Sequence, residues 1–201
     1  MIRGSDLRVP DHPISPIFLD RWSPRAMSGE PIDTSELMRL FEAARWAPSP
    51  SNVQPWRMLY AHRDTAHWPL FFELLVESNK VWCRNAAVLV LFMSKTINER
   101  TGRPAVTHSF VTGAAWENFA LQGAMNGLVV HGMQGFDYER ARASLHVPDD
   151  VRVEAMGAVG RPGRTSDLPE ALQARETPNG RLPLAELVFE GPYPGGEGGR
   201  R

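Results

Sequence analysis

The stretch from Ala86 to Met93 reads AAVLVLFM and is apolar at every position. Valine, leucine and phenylalanine favour strands, and a short apolar run without alternating polar residues is typical of a strand buried on both faces. A sheet that contains such a strand needs a layer of other elements against each face. The run therefore predicts a central strand with helices on both sides of its sheet.

Helix and strand patterns alternate on either side of this run. Residues 33–36 (DTSE) have the form of a capping box, and the apolar residues after them recur at helical spacing, which predicts a helix over 34–46. The same reasoning predicts further helices over 68–76, 110–126 and 138–145, and strands over 56–60, 128–133 and 154–159. Small residues surround the longest of these helices, so we expect it to be buried and closely packed. The alternation predicts a three-layer α+β domain.

The two ends of the chain differ from its middle. Residues 1–16 are rich in proline and lack periodicity, which is typical of an N-terminal arm. Residues 17–191 carry the alternating elements and predict one domain, since a chain of 201 residues can bury a substantial core. Residues 192–201 (PYPGGEGGRR) offer little to bury, so we expect a flexible tail.

Composition and spacing exclude several classes of function. The net charge of −1 gives no reason to expect binding to nucleic acid or to a membrane surface. Cys83 is the only cysteine, which rules out an intrachain disulfide and favours a reducing, cytoplasmic setting. The histidines lack the spacing of metal ligands, and no glycine-rich phosphate motif follows a strand. We therefore expect a protein with no metal site and no membrane-spanning segment.

Residues 43–56 (AARWAPSPSNVQPW) place many polar groups on a stiff backbone. Each proline fixes φ and lacks an N–H group, so the segment cannot continue as a helix. Hydroxyl and amide side chains follow at Ser49, Ser51, Asn52 and Gln54. Because an amide both donates and accepts hydrogen bonds, it suits a heteroaromatic ligand whose edge alternates C=O and N–H groups. An ordinary solvated connection between a helix and a strand explains the same residues.

Arg21, Ser23 and Arg25 alternate with other residues in a segment that is not helical. In extended backbone they would point the same way and present two guanidinium groups and a hydroxyl to one ligand, which suits a phosphate. Arg181, in a later turn, could close on the same anion. The alternative is that these arginines pair with surface carboxylates.

Residues 131–137 (HGMQGFD) end a predicted strand. Gly132 and Gly135 would let the backbone approach a ligand closely or take positive φ. Ligands commonly bind beyond the carboxyl ends of strands in open sheets. A plain connection between a strand and a helix accounts for the glycines equally well.

These motifs together resemble the FMN-dependent nitroreductase family. The resemblance rests on RWSPRAM (21–27), EAARWAPSPSNVQPWR (42–57), the apolar helix around GAAWEN (113–118), HGMQGFD (131–137) and RLPLAELVFEG (181–191). It implies a three-layer α/β/α sandwich around a mixed, mainly antiparallel sheet. It also implies an intertwined homodimer with FMN at the subunit interface.

The resemblance also implies the flavin contacts. They would be made by Arg21, Trp22, Ser23, Arg25, Pro48, Ser49, Asn52, Gln54, Asn79, Met133, Gln134, Gly135 and Arg181. Arg21, Ser23 and Arg181 would hold the phosphate, Arg25 the pyrimidine edge of the ring, and the 48–54 loop would come from the partner subunit. No side chain is expected to act as a catalytic acid, because the flavin carries the chemistry.

Two positions depart from the family pattern. Asn179 stands where many members have a basic residue, and Gln134 stands where some have glutamate. The phosphate contacts and the polarity near flavin N5 are the features that these departures affect.

The function that the resemblance implies is that of an NAD(P)H-dependent oxidoreductase. FMN would take a hydride at N5 from NADH or NADPH and reduce nitroaromatic, quinone or similar acceptors in ping-pong fashion. The alternatives are a flavin-binding or flavin-storing protein without turnover, and a dimeric scaffold whose arginines form ion pairs.

Overall fold

The computed structural model describes residues 2–194, so the predicted flexible tail lies largely outside the described residues. Its strands are β1 (Trp56–His62), β2 (Val88–Lys95), β3 (Val129–Met133) and β4 (Val151–Gly160). Its helices are α1 (Ile17–Asp20), α2 (Thr34–Arg45), α3 (Trp68–Phe72), α4 (Glu77–Cys83), α5 (His108–Met125), α6 (Tyr138–Ser144) and α7 (Glu170–Gln173).

The four strands form one sheet in the order β1-β2-β4-β3, and every neighbouring pair is antiparallel. β2 is therefore a central strand, as its apolar sequence predicts. Its alternate residues belong to different cores: Val88, Val90 and Phe92 face one side, whereas Leu89, Leu91 and Met93 face the other. All six are at most 5% exposed, which explains why no polar residue interrupts the run.

Helices cover both faces of the sheet, and the predicted three-layer α+β architecture is confirmed. α2 and α5 pack on the face of Val88 and Phe92, whereas α3, α4 and α6 supply buried residues to the opposite core. Gly123 of α5 lies so close to β3 that a Cβ atom there would come within 2.3 Å of Val130 Cγ2. In the described part of the chain, no helix is long and apolar enough to cross a membrane.

Three local predictions were wrong. Asp33 occupies the N-cap of α2 but makes no side-chain capping bond, and the Glu36 side chain pairs with Arg161 at 2.7 Å. α3 ends at Phe72, and Leu75 beyond it forms a β-bridge with Phe136. α5 is not buried all round, since Phe110 is 80% exposed on its outer face.

Candidate functional site

Residues 21–26 belong to no helix or strand, and burial alternates along them. Arg21, Ser23 and Arg25 are partly exposed, whereas Trp22, Pro24 and Ala26, which alternate with them, are buried. The segment is held by the Met27–Pro162 bridge and by a hydrogen bond from Trp22 Nε1 to the Ile2 carbonyl oxygen at 3.1 Å. The predicted alternation is thus present, and it directs two guanidinium groups and a hydroxyl outward together.

These outward side chains line a cavity of about 600 Å³. Its lining comes from the N-terminal arm, the 21–25 segment, the end of β3 and the chain after α7: Arg8, Arg21, Trp22, Ser23, Arg25, His131, Gly132, Arg175, Thr177, Asn179 and Arg181. Five of these residues are arginines, and among the described residues no carboxylate side chain lines the cavity. Such a concentration of positive charge in a concave site favours an anionic ligand.

Several of these guanidinium groups retain unused hydrogen-bonding capacity. In the described part of the chain, neither Arg25 nor Arg175 forms an ion pair with a carboxylate. Arg21 Nε lies 3.3 Å from Glu117 Oε1, but the alignment is too poor for a hydrogen bond, so this buried donor is left without a partner. A buried donor without a hydrogen-bond partner costs free energy, which the nearby Glu117 carboxylate offsets only in part.

The Glu176 side chain fixes the backbone of the 21–27 segment. Its Oε1 accepts hydrogen bonds from the backbone N–H groups of Arg25 at 2.6 Å and Ala26 at 2.7 Å. The residue is only 4% exposed, and its Oε2 has no hydrogen-bond partner among the described residues. This buried carboxylate therefore sets where the Arg25 side chain leaves the backbone.

His131 links β3 to the same segment. Its Nδ1 lies 2.9 Å from the Pro24 carbonyl oxygen, and its ring packs against Trp82 with the ring centroids 4.5 Å apart. Burial, reinforced by the nearby Arg25, lowers the pKa of His131 to about 4. The imidazole is thus neutral at pH 7, and because Nδ1 must donate to the carbonyl oxygen, it carries the proton.

The 48–54 loop takes a backbone conformation that side chains rarely adopt. Ser51, Asn52 and Gln54 have φ values of 48°, 56° and 50°. Ser49 Oγ accepts from the Gln54 N–H at 3.0 Å, Arg57 donates to the Gln54 carbonyl oxygen at 3.0 Å, and Arg100 donates to that of Ser51. Strain of this kind persists where surrounding contacts impose it, and such positions cluster at ligand sites.

A third group of polar atoms lies at the end of β3. Asn79 Nδ2 donates to the Gly135 carbonyl oxygen at 3.0 Å, and the Val76 N–H donates to the same oxygen at 3.1 Å. A Cβ atom at Gly135 would come within 2.6 Å of Asn79 Nδ2. A side chain at this position would therefore have to displace the Asn79 amide from its hydrogen bond.

Comparison with known proteins identifies the family to which this chain belongs. A model described as the nitroreductase family matches residues 19–81. A solved structure described as an oxidoreductase containing FMN shares 45% identity and a TM-score of 0.91, covering 96% of this chain and all of the other. This chain belongs to the nitroreductase family.

Two curated relatives extend the comparison. An uncharacterized 15.4 kDa protein of Mycolicibacterium smegmatis, in the ask 5′ region, is 34% identical over 119 residues, which are 59% of this chain and 78% of the relative. A Thermus thermophilus protein named NADH dehydrogenase is 27% identical over 202 residues, covering 85% of this chain and 92% of the relative. The expected class, an oxidoreductase, is confirmed at this coarse level.

The nitroreductase-family residues predicted from the sequence fall into three places. Arg21, Trp22, Ser23, Arg25 and Arg181 line the arginine cavity. A hydrogen bond joins Asn79 to Gly135, which follows the buried Met133 and the exposed Gln134 in the chain. The loop residues Pro48, Ser49, Asn52 and Gln54 do not line that cavity. Their neighbours in the loop, together with His108, line a second cavity of about 270 Å³.

Sequence reasoning missed several cavity residues. Arg8 lies in an arm without periodicity, and Arg175 and Thr177 follow α7, whose four residues give almost no pattern. His131 was part of a recognised motif, but only its burial beside Trp82 shows that it is neutral. No local signal in the sequence assigns these residues to one site.

Proposed function

We propose that the protein is an FMN-dependent oxidoreductase that takes a hydride from NADH or NADPH. Its acceptors would be nitroaromatic compounds, quinones or similar electrophilic small molecules. The relatives support this proposal by their names, since one is described as containing FMN and another as an NADH dehydrogenase. The cytoplasmic location remains a prediction from the single cysteine.

The observation that carries the proposal is the arginine cavity of this nitroreductase-family chain. Five guanidinium groups, of which Arg25 and Arg175 lack carboxylate partners in the described chain, surround one concave space with a buried unpartnered donor at Arg21 Nε. Arginine forms bidentate hydrogen bonds with phosphate oxygens, and its charge persists in a partly buried site. The lining therefore fits the phosphate of a mononucleotide, and about 600 Å³ is within the usual range of cofactor pockets.

Each part of the site would have a separate task. Arg21, Ser23 and Arg181 would bind the phosphate, whereas Arg25, fixed by Glu176, would hold positive charge near the pyrimidine edge of the ring. The neutral His131 keeps Pro24 in place without adding a proton-dependent charge. When bound, FMN supplies the redox chemistry, accepting a hydride from the nicotinamide and passing electrons to the second substrate.

The ring would be enclosed by a homodimer. The 48–54 loop lies apart from the arginine cavity of its own chain, so a partner's loop is the source of Ser49, Asn52 and Gln54 that the proposal requires. Large apolar side chains are exposed at Val106 (90%), Phe110 (80%) and Trp46 (73%), near or on α5. A homodimer interface that covers these side chains would remove their apolar surface from water.

An anaerobic titration of the purified protein tests the proposal. The protein is loaded with FMN and dialysed, and its visible absorption is followed during addition of NADH or NADPH and then of a nitroaromatic compound. We expect retained yellow colour, bleaching by at least one nucleotide, and return of the absorption with the acceptor. Loss of all colour on dialysis would contradict FMN binding, and colour that neither nucleotide bleaches would indicate a flavin-storing protein.

A further inference from the structure

The guanidinium group of Arg8 joins the N-terminal arm to two segments of the arginine cavity. Its Nη1 donates to the carbonyl oxygens of Leu19 at 2.6 Å and Arg21 at 2.9 Å, and its Nε donates to that of Asn179 at 2.8 Å. Arg21 and Arg181 extend from these two segments. Arg8 thus bonds to the backbone beside both arginines to which the proposed function gives the phosphate.

Gly4 and Ser5 fasten the start of the arm to the domain, which helps to hold Arg8 in this place. Ser5 donates to Asp20 Oδ1 through both its N–H and its hydroxyl, at 3.0 and 2.6 Å. Gly4 is buried, and a Cβ atom there would lie 1.7 Å from the Leu19 carbonyl oxygen. Only a residue without a side chain allows the arm to lie this close to α1.

The surroundings of Arg8 disfavour its positive charge. Burial lowers the pKa of Arg8, and the nearby Arg181 and Arg21 lower it further, with Asp20 opposing them weakly. Three like charges in one partly buried cavity repel each other, and an anion bound between them would offset this repulsion. The Asn179 side chain, whose Oδ1 lies 3.4 Å from Arg8 Nη2, is neutral, so position 179 itself contributes no charge.

We propose that Arg8 is a cofactor-positioning residue, which supplies from the N-terminal arm the positive charge that position 179 lacks. This inference rests on the proposed function and extends it. Arg8 lies outside the 19–81 stretch that matches the family. Its side-chain nitrogens are largely engaged by carbonyl oxygens, so its charge acts on the anion while its hydrogen bonds keep Arg21 and Arg181 in place.

Titration of the apo-protein with FMN and with riboflavin, which lacks the phosphate, tests the inference. Arg8→Met should raise the Kd for FMN about tenfold, as expected for loss of one favourable charge, and should leave the Kd for riboflavin unchanged within error. Arg8→Lys keeps the charge but loses the fixed set of hydrogen bonds, so its Kd for FMN should lie between those of the parent protein and Arg8→Met. Asn179→Lys added to Arg8→Met should restore most of the affinity for FMN. Arg3→Met is the matched control, because Arg3 is an exposed arginine of the same arm.

The alternative is that Arg8 only fastens the arm. Equal losses of FMN and riboflavin in Arg8→Met, no loss in that variant, or an Arg8→Lys protein as weak as Arg8→Met would each overturn the inference. A parent protein that binds FMN while Arg8→Met is unaffected refutes this inference alone. A parent protein that binds no FMN refutes the proposed function and the inference with it.

Discussion

Asn79 Nδ2 donates a hydrogen bond to the carbonyl oxygen of Gly135 at 3.0 Å, joining the start of α4 to the end of β3. These residues come from motifs 56 positions apart, and both were predicted to contact the flavin. A Cβ atom at position 135 would meet Asn79 Nδ2 at 2.6 Å, so a side chain there would have to displace the Asn79 amide.

Gly135→Ala should therefore displace Asn79 and weaken FMN binding, since the new methyl group must push the amide away. Asn79→Ala should weaken binding by a similar factor, and the double variant should be little worse than either single one, because the two residues act through one contact. Fluorescence titration with FMN measures the three affinities. Fully additive losses would show that the pair does not act as a unit.

Arg21→Ala combined with Arg181→Ala tests the phosphate contacts. Each charge-assisted hydrogen bond contributes roughly 1.5–3 kcal/mol, so the double variant should bind FMN far more weakly than the parent. Arg164→Ala is the control, because that arginine is 83% exposed and pairs with Asp167. Glu117→Gln removes the ion-pair partner of Arg21 and should not weaken FMN binding. If the double variant bound FMN as tightly as the parent, the phosphate could not be assigned to this site.

Gln54→Ala should disturb flavin binding or reduction more than Ser51→Ala. The Gln54 amide can both donate to and accept from the ring edge, whereas Ser51 holds the strained loop mainly through its backbone carbonyl, which Arg100 contacts. Calorimetric FMN affinity and rates of reduction by NADH separate the two effects. Equal and negligible changes would contradict the role of the loop.

Glu176→Ala should destabilise the fold, because two backbone N–H groups would lose their acceptor. The expected loss is roughly 2–4 kcal/mol in the free energy of unfolding, measured by urea denaturation. Glu176→Gln keeps one acceptor oxygen and should lose less. An unchanged stability in Glu176→Ala would mean that water replaces the carboxylate without cost.

His131 makes stability depend on pH in a defined range. Its pKa is about 4 in the folded protein and about 6.5 when unfolded, so only the unfolded chain takes up the proton between these values. Its contribution is therefore fully present above pH 6.5 and is lost as pH falls towards 4, a total on the order of 3 kcal/mol. His131→Asn cannot titrate, so the parent should lose more stability than the variant between pH 7 and pH 5. Parallel losses in the two proteins would show that His131 ionises normally.

The sequence predicts the layers of this fold well because hydrophobic patterns within single segments determine its central strand and its clearest helix. β2 must be covered on both faces whatever surrounds it, and α2 carries clear helical spacing. Features decided by distant contacts or by short segments were missed. Glu36 forms an ion pair with Arg161 in place of the predicted capping bond. α4 forms in a short segment with weak periodicity.

The candidate site divides in the same way. The alternation of Arg21, Ser23 and Arg25 follows from extended backbone, so sequence could place the three together. Arg8 and Arg175 join them only through the packing of the arm and of the chain after α7. Their place in the cavity depends on tertiary contacts that no short motif encodes.

A crystal structure of the protein with bound FMN tests the central claim most directly. We predict that phosphate oxygens lie within about 3 Å of nitrogen atoms of both Arg21 and Arg181, in a dimer whose second chain brings Asn52 to the ring. FMN bound elsewhere, with its phosphate remote from the arginine cavity, would contradict the account.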